Sequence, residues 1–275
     1  MELEDIELAR RIELHEARVW AECIAAASTV EDNPLRAEVV YPGKTPIGTL
    51  AALNFGTFNR VIALGVEEPA TVSDLDDIED FYRVRGQTRF QVEITPATRP
   101  SSIRNDLARR GITPTGERVA KFWRNVEGTA SEDPDFEMVE LGSRDRDAIV
   151  NVSLGAWSLP KFFAPWFAAT IGVKGFHHFG IFDDDALVST AVMNVDDGLA
   201  WTGFGATLPR YQGRGYQTGR LGLLVKRAAD YGCHIIHNEA ATGSSASPST
   251  SFKNLSRTGF QLIYEKELFG PVSST

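Results

Sequence analysis

Residues 208–221 read LPRYQGRGYQTGRL and determine the fold that the sequence predicts. The stretch follows a predicted strand, LAWTGFGAT at 199–207, and continues into a predicted helix. The N–H groups in the first turn of a helix have no acceptor within the helix, and together with the helix dipole they bind anions. Gly213 and Gly215 let a phosphate approach the backbone closely, and the arginines of the stretch add positive charge. We therefore expect a di- or triphosphate group to bind at this turn.

Two common phosphate-binding loops do not match the stretch. A P-loop requires Gly-x4-Gly-Lys-Ser/Thr, which does not occur in the sequence. A dinucleotide-binding fingerprint requires Gly-x-Gly-x-x-Gly, and Gly219 comes one position too late for it. The segment RYQGRG at 210–215 instead resembles the Q/R-x-x-G-x-G/A signature of the GCN5-related N-acetyltransferases, the GNAT superfamily. The resemblance covers roughly residues 136–270.

The resemblance implies that acetyl-CoA or another acyl-CoA is the acyl donor. Its pyrophosphate would bind the main-chain amides of the loop, and its pantetheine arm would pair with the end of the preceding strand. The implied cofactor-binding residues lie on that strand, in the loop and on a later helix: Gly205, Ala206, Thr207, Gln212, Gly213, Arg214, Gly215, Tyr216, Gln217, Ser251 and Asn254. Two positions depart from the family pattern. Gln217 replaces a small residue that follows the second glycine, and Leu255 replaces a tyrosine that protonates the leaving thiolate in similar proteins.

Strand and helix patterns recur on both sides of residues 126–141, where Gly, Ser, Asp and Pro cluster. We therefore predict an α/β (α+β) fold of two GNAT-like domains, each a mixed, mostly antiparallel sheet flanked by helices. Residues 1–130 would form a degenerate domain without a phosphate loop, and residues 136–275 would form the acyl-CoA-binding domain. Within the first domain, the predicted strands include residues 49–55 and 60–66.

The first half carries the opposite charge where a phosphate loop would follow its strand. Glu67 and Glu68 would repel a pyrophosphate, and Pro69 has no amide to donate. We therefore expect the first domain not to bind coenzyme A. It would be structural, or it would form a wall of the acceptor pocket.

The expected reaction is direct attack of a neutral amine on the thioester carbonyl, which requires a base and a proton donor. His237 and Glu239 alternate onto one face of the predicted strand HIIHNEA. Glu239 is the first candidate for the base, although a solvated carboxylate there is equally expected. His237 has a suitable pKa range, and Tyr264 could replace the missing tyrosine as the acid. Both are also residues that commonly pack in a core.

An aromatic segment, predicted as a helix over 158–172, precedes a hairpin. By resemblance it borders the acceptor site, and the substrate-binding candidates are Trp157, Phe162, Phe163 and Trp166. The same residues could pack a buried helix on the sheet. The acceptor that we favour is a small-molecule primary amine with apolar character. The alternatives are a non-catalytic acyl-CoA-binding or sensor protein, and a nucleotide-dependent α/β protein that uses the glycine turn.

The charge and hydrophobicity of the sequence argue against some classes of binding partner. The net charge of −9 argues against nucleic-acid binding, and no apolar run is long enough to span a membrane. The N-terminus lacks the pattern of a signal peptide, so a cytoplasmic location is expected. We expect the protein to be a monomer or a homodimer. No metal is expected, because neighbouring strand histidines such as His177 and His178 point to opposite faces. The two cysteines imply no disulfide framework.

Overall fold

The computed structural model describes residues 3–127, 134–244 and 247–272. The chain forms two compact units: unit 1 comprises Met1–Ala120 with Ile263–Thr275, and unit 2 comprises Lys121–Leu262. The predicted second domain includes the last strand, whereas the structure assigns most of that strand to unit 1. Each unit is a mixed sheet flanked by helices, which confirms the predicted fold class.

The secondary structure follows chain order within the described residues. The helices are α1 (Leu3–Ser28), α2 (Val72–Val84), α3 (Ile103–Arg109), α4 (Arg146–Trp157), α5 (Ala164–Ala168), α6 (Tyr216–Asp230) and α7 (Thr250–Arg257). The strands are β1 (Ala37–Val40), β2 (Ile47–Leu50), β3 (Arg60–Val61), β4 (Gln91–Ile94), β5 (Ile112–Asn125), β6 (Met138–Leu141), β7 (Phe176–Asp183), β8 (Ala186–Asp196), β9 (Leu199–Thr207), β10 (Ile235–Ala241), β11 (Gly243–Ser244), β12 (Ser247–Pro248) and β13 (Gln261–Pro271).

The sheet of unit 1 has the strand order β1-β2-β3-β4-β13-β5. β3 and β4 are parallel, whereas β1–β2, β2–β3 and β4–β13 are antiparallel. Helix α2 buries Leu75, Ile78 and Tyr82 in the core of this unit, and β13 contributes Phe269. Burying these apolar side chains is the main favourable term that holds the unit together.

The predicted strands 49–55 and 60–66 are much shorter than expected. β2 ends at Leu50 and β3 ends at Val61. Beyond Val61 the chain turns at Ala63 and Gly65, which both have positive φ angles and cannot continue a ladder. A Cβ on Gly65 would lie 2.2 Å from the carbonyl oxygen of Arg99, so the turn requires glycine.

A charged cluster is buried in unit 1 around Lys266. Its ammonium group lies 3.1 Å from Glu13, 2.5 Å from Glu16 and 2.8 Å from Glu93, and all four side chains are fully buried. Arg60 also donates to Glu93. The three carboxylates are close enough together to hold a metal ion, and the ammonium of Lys266 already lies within hydrogen-bond distance of each of them.

The sheet of unit 2 has the strand order β5-β10-β9-β8-β7-β6, with β5 contributing its last residues. β6 to β9 form an antiparallel meander, and β9 pairs with β10 in parallel. The predicted hairpin and the strand 199–207 are therefore confirmed.

The predicted helix over 158–172 is wrong in its extent. The main helix in this region is α4, which the sequence pattern did not predict. Ser158 ends α4 with a left-handed backbone, Pro160 follows in an extended conformation, and Pro165 lies at the start of the short helix α5. Proline favours such helix starts and interrupts longer helices. Within the described ranges, no helix combines the length and apolar character that crossing a bilayer requires.

Candidate functional site

The loop between β9 and α6 leaves the N-terminus of α6 open. Gly213 and Gly215 have φ angles of 80° and 84°, in the left-handed region that favours glycine. Gly215 is the N-cap residue and supplies no side-chain cap, and the first turn of α6 carries no acidic residue. The amide of Gly219 donates to the carbonyl of Gly215 at 2.9 Å. The amides of residues 216–218 precede this bond and have no acceptor in the helix, so they form an anion-binding end.

The strands β9 and β10 are paired only near their start. The paired residues are Leu199–Trp201 with Ile235–His237, and no further pair joins these two strands among the described residues. β9 continues to Thr207. The carbonyl of Ala206 accepts the Ser189 hydroxyl on the β8 side. Because main-chain groups of successive residues point to opposite sides of a strand, those of Gly205 and Thr207 face the open side.

A β-bulge lies where β9 diverges. The register with β8 shifts between Thr190 and Val192, and Phe204 on β9 has a φ angle of 49°. Its ring contacts Trp166 and Trp201 edge-on, with centroids 5.7 Å and 5.4 Å away. The aromatic contacts hold a non-glycine residue in a left-handed conformation that costs about 1–2 kcal/mol.

A cavity of about 660 Å³ opens where these elements meet. Its lining comes from the end of α4, the end of β9, the loop, the start of α6, and α7: Ala156, Trp157, Gly205, Ala206, Thr207, Tyr211, Gln212, Gly213, Gly215, Tyr216, Gln217, Thr218, Arg220, Thr250, Ser251, Asn254 and Arg257. Two arginines and no Asp or Glu occur among these described residues. The cavity is therefore suited to an extended ligand with an anionic group.

Comparison with solved structures identifies the architecture. The chain superposes on a GCN5-related N-acetyltransferase from Kribbella flavida with a TM-score of 0.62, 16% identity, and coverage of 92% of this chain and 96% of that chain. An acetyltransferase from the GNAT family from Colwellia psychrerythraea gives a TM-score of 0.55 and 13% identity over 99% and 98% of the two chains.

A tandem GNAT protein from the clavulanic acid biosynthesis pathway gives a TM-score of 0.55 and 13% identity over 83% of this chain and 79% of that chain. The chain has the GNAT fold. No protein-family model matches the sequence, and no curated protein matches it significantly.

The GNAT fold brings almost all predicted cofactor-binding residues to one cavity. The exception is Arg214, which is absent from the lining and lies 3.4 Å from Asp183 in an exposed ion pair. Gln212 donates to the carbonyl of Thr207 at 3.2 Å and so fixes the loop to the end of β9.

Gln217, the position that departs from the family signature, connects the two helices beside the cavity. Its amide nitrogen donates to the Ser251 hydroxyl at 3.2 Å, and its amide oxygen accepts from the Asn254 amide at 2.8 Å. The larger residue thus holds the two predicted α7 residues at the cavity wall.

The predicted catalytic residues lie outside the lining of this cavity. Tyr264 belongs to unit 1, where its hydroxyl donates to Glu13 at 2.6 Å and burial raises its pKa well above the ordinary value. A tyrosine held in this way is a poor proton donor. His237 is fully buried, whereas Glu239 is half-buried on β10.

The four predicted substrate-binding aromatics separate into two groups. Trp157 lines the cavity, and Trp157 and Phe162 are 52% and 45% exposed. Phe163 and Trp166 are buried, so they act in packing. The predicted segment therefore has one packing face and one exposed face.

Two strand histidines have separate partners. His177 lies 2.8 Å from Glu140, and His178 lies 3.1 Å from Thr170. Burial lowers the pKa of His178 to about 4. These contacts follow from the opposite directions of neighbouring strand side chains.

Two cations of the cavity, Arg220 and Arg257, were not predicted from the sequence. Arg220 lies four residues after Tyr216, and residues at this spacing share one helix face. That spacing was the signal that could have identified it.

Proposed function

We propose that the protein transfers an acetyl or short acyl group from coenzyme A to a primary amine of a small molecule. The observation that carries the proposal is the cavity in which the uncapped N-terminus of α6 meets the unpaired end of β9. An anion-binding end and a free strand edge, joined in one cavity, match the two parts of an acyl-CoA: a pyrophosphate and an extended amide-containing arm.

Each part of coenzyme A would contact a different part of the cavity. The amides of the loop and of the first turn of α6 bind the pyrophosphate. The main-chain groups of Gly205 and Thr207 pair with the pantetheine arm, and the Thr207 carbonyl, which accepts from Gln212, has a second lone pair for a ligand donor. Ser251 and Asn254 supply polar contacts from α7.

An acyl-CoA supplies a thioester that an amine attacks directly. The amine nitrogen forms a bond to the carbonyl carbon, the carbon–sulfur bond breaks, and the thiolate takes up one proton while the amine loses one. Glu239, directly or through a water molecule, remains the proposed base because it is half-buried on the strand that diverges from β9. Burial of His237 and the Glu13 contact of Tyr264 make those two residues weaker candidates.

The acceptor would lie near the exposed aromatic residues. Trp157 is at the cavity, and Phe162 follows it in the same segment. Their exposed rings favour an amine with an apolar body.

The residues that line the cavity also support a second function, acyl-CoA binding without catalysis. None of the described lining residues is a carboxylate or histidine, and Leu255 occupies the position of the expected tyrosine with only 2% exposure. An acyl-CoA-binding protein without turnover fits these facts as well.

Isothermal titration with coenzyme A, acetyl-CoA, ATP and NAD tests the binding step. We expect micromolar affinity for both CoA species and weaker binding of ATP and NAD. Gly215→Ala should weaken CoA binding at least tenfold, whereas Gly232→Ala provides a matched control. Gly232 also has a positive φ angle and no atom within 4 Å of the position that a Cβ would take, but it lies at the other end of α6. Binding of ATP or NAD with no binding of CoA would refute the proposal.

Release of free thiol from acetyl-CoA, measured across a panel of primary amines, separates the enzyme from the binding protein. Turnover that falls at least tenfold in Glu239→Gln supports catalysis with Glu239 as the base. Tight CoA binding with no thiol release from any amine supports the binding protein.

A further inference from the structure

Gln217 joins α6 to α7 through both ends of one amide group. Its Oε1 accepts from the Asn254 amide nitrogen at 2.8 Å, and its Nε2 donates to the Ser251 hydroxyl at 3.2 Å. All three side chains line the cavity. An amide oxygen only accepts hydrogen bonds and an amide nitrogen only donates them. Gln217 therefore determines which hydrogen-bonding groups its two neighbours have left for a ligand.

Asn254 has its amide oxygen left. Its Nδ2 is the atom that bonds Gln217, and its Oδ1 makes no hydrogen bond with any other residue in the described ranges. Asn254 is 9% exposed, but Oδ1 is not one of the unpaired polar atoms that the described protein encloses completely. This oxygen is therefore an acceptor that a ligand in the cavity can reach.

Ser251 has a hydrogen left to donate. Its oxygen accepts from Gln217, and its O–H donates to no acceptor within the part of the chain that the structure describes. Ser251 is exposed and precedes Asn254 by three residues on α7, a spacing that places both side chains on one helix face. That face of α7 therefore offers the cavity a donor and an acceptor.

We propose that Gln217 is a positioning residue that fixes Asn254 as an acceptor and Ser251 as a donor for the amides of the pantetheine arm. The inference rests on the proposed function and gives a role to the residue that departs from the GNAT signature. Each amide of the arm, like a peptide group, carries one donor and one acceptor. An arm that pairs with β9 along one edge can donate an N–H to Asn254 and accept from Ser251 with a C=O. An amide oxygen repels phosphate oxygens, so the Asn254 contact is specific for the arm.

Titration calorimetry with two ligands separates positioning of the arm from support of the phosphate loop. Coenzyme A has the arm, whereas 3′-phospho-ADP has the same nucleotide and pyrophosphate without it. Gln217→Met keeps the length of the side chain and removes its amide. We expect this variant to bind coenzyme A about tenfold more weakly, because the orientation of two ligand hydrogen bonds is lost, and 3′-phospho-ADP within about twofold of the unmodified protein.

The outcomes distinguish this inference from the proposed function. Equal losses for the two ligands in Gln217→Met, or no loss for coenzyme A, would overturn the role of Gln217 and leave the proposed function intact. Absence of coenzyme A binding by the unmodified protein would overturn both.

A double-mutant cycle with coenzyme A alone shows whether Gln217 acts through Asn254. Asn254→Ala should weaken binding about fivefold, as expected for one lost hydrogen bond. The double variant Gln217→Met/Asn254→Ala should lose much less than the product of the two single losses, because the oxygen that Gln217 orients is gone. Single losses that multiply would mean that Gln217 contributes independently, and would overturn the inference.

Two serines of α7 provide a matched pair for the donor. Ser251→Ala should weaken coenzyme A binding about threefold, since a neutral hydrogen bond contributes about 1 kcal/mol. Ser256→Ala removes a hydroxyl that bonds the Phe252 carbonyl outside the cavity lining, so the affinity should not change. An equal loss in both serine variants would overturn the assignment of Ser251 as the donor.

Discussion

The N-termini of α2 and α6 use the same backbone donors in opposite ways. Thr71, the N-cap of α2, has an extended backbone and forms a reciprocal capping box with Asp74. The Thr71 amide donates to the Asp74 carboxylate at 2.6 Å, and the Asp74 amide donates to the Thr71 hydroxyl at 3.3 Å. Gly215 provides none of this at α6. The chain caps the N-terminus of α2 with its own side chains and leaves the N-terminus of α6 without a side-chain cap.

The loops before the two helices extend the contrast. Before α2, Glu67 and Glu68 are exposed, and Arg99 donates to the Glu67 carbonyl. The loop before α6 has a glycine and an arginine, Gly213 and Arg214, where the loop before α2 has two acidic residues. An N-terminal cap contributes about 1 kcal/mol to stability. The N-terminus of α6 lacks this contribution, and under the proposed function its free amides would bind the pyrophosphate instead.

Thr218→Asp gives α6 an acid at the position that Asp74 occupies in α2. Repulsion between this carboxylate and a pyrophosphate at about 6 Å is about 3 kcal/mol at an effective dielectric constant of 20. We expect coenzyme A to bind roughly 100-fold more weakly. The stability of α6 should rise by about 0.3–1 kcal/mol, because acids stabilise helix N-termini. Titration calorimetry and thermal unfolding measure the two effects.

Thr218→Asn is the control for that substitution, since it has the same shape without the charge. It should retain affinity within about threefold. If Thr218→Asp binds coenzyme A as tightly as the unmodified protein, α6 is not the pyrophosphate site.

Asp74→Asn tests the other helix end. Loss of the charged half of the capping box should lower the stability of unit 1 by about 1 kcal/mol. The corresponding fall in melting temperature is about 2–4 °C. Coenzyme A affinity should not change. Asp77→Asn, at an exposed position of the same helix, should leave the melting temperature within about 1 °C. A loss of CoA affinity in Asp74→Asn would mean that the two ends are not functionally distinct.

Asp183→Asn releases Arg214 from its exposed ion pair and should give the smallest effect. Such pairs contribute about 0–1 kcal/mol, so the freed arginine should tighten CoA binding about two- to threefold at low salt. The gain should disappear at about 1 M salt, where the screening length is about 3 Å. Asp185→Asn makes the same change in net charge at an exposed position nearby. An equal gain in both variants would attribute the effect to net charge rather than to Arg214.

The local part of this architecture could be predicted from sequence. The bounds of β9 and the start of α6 follow from a strand pattern that ends in a glycine- and arginine-rich turn. Other features depend on contacts between distant residues. Tyr264 was a catalytic candidate, but its hydroxyl partner, Glu13, lies 251 positions away. Likewise, only the packing of α6 against β8 and β9 shows that Arg220 is buried with its Nε unpaired.

The placement of β13 has a consequence for the order of folding during synthesis. Unit 2 has all of its residues once position 262 has left the ribosome, whereas unit 1 still lacks residues 263–271. Until then, Glu13, Glu16 and Glu93 lack the ammonium of Lys266. The half of the chain that is made first is therefore completed last. A nonsense mutation after position 262 would remove residues of unit 1, and would leave the residues of the cavity in place.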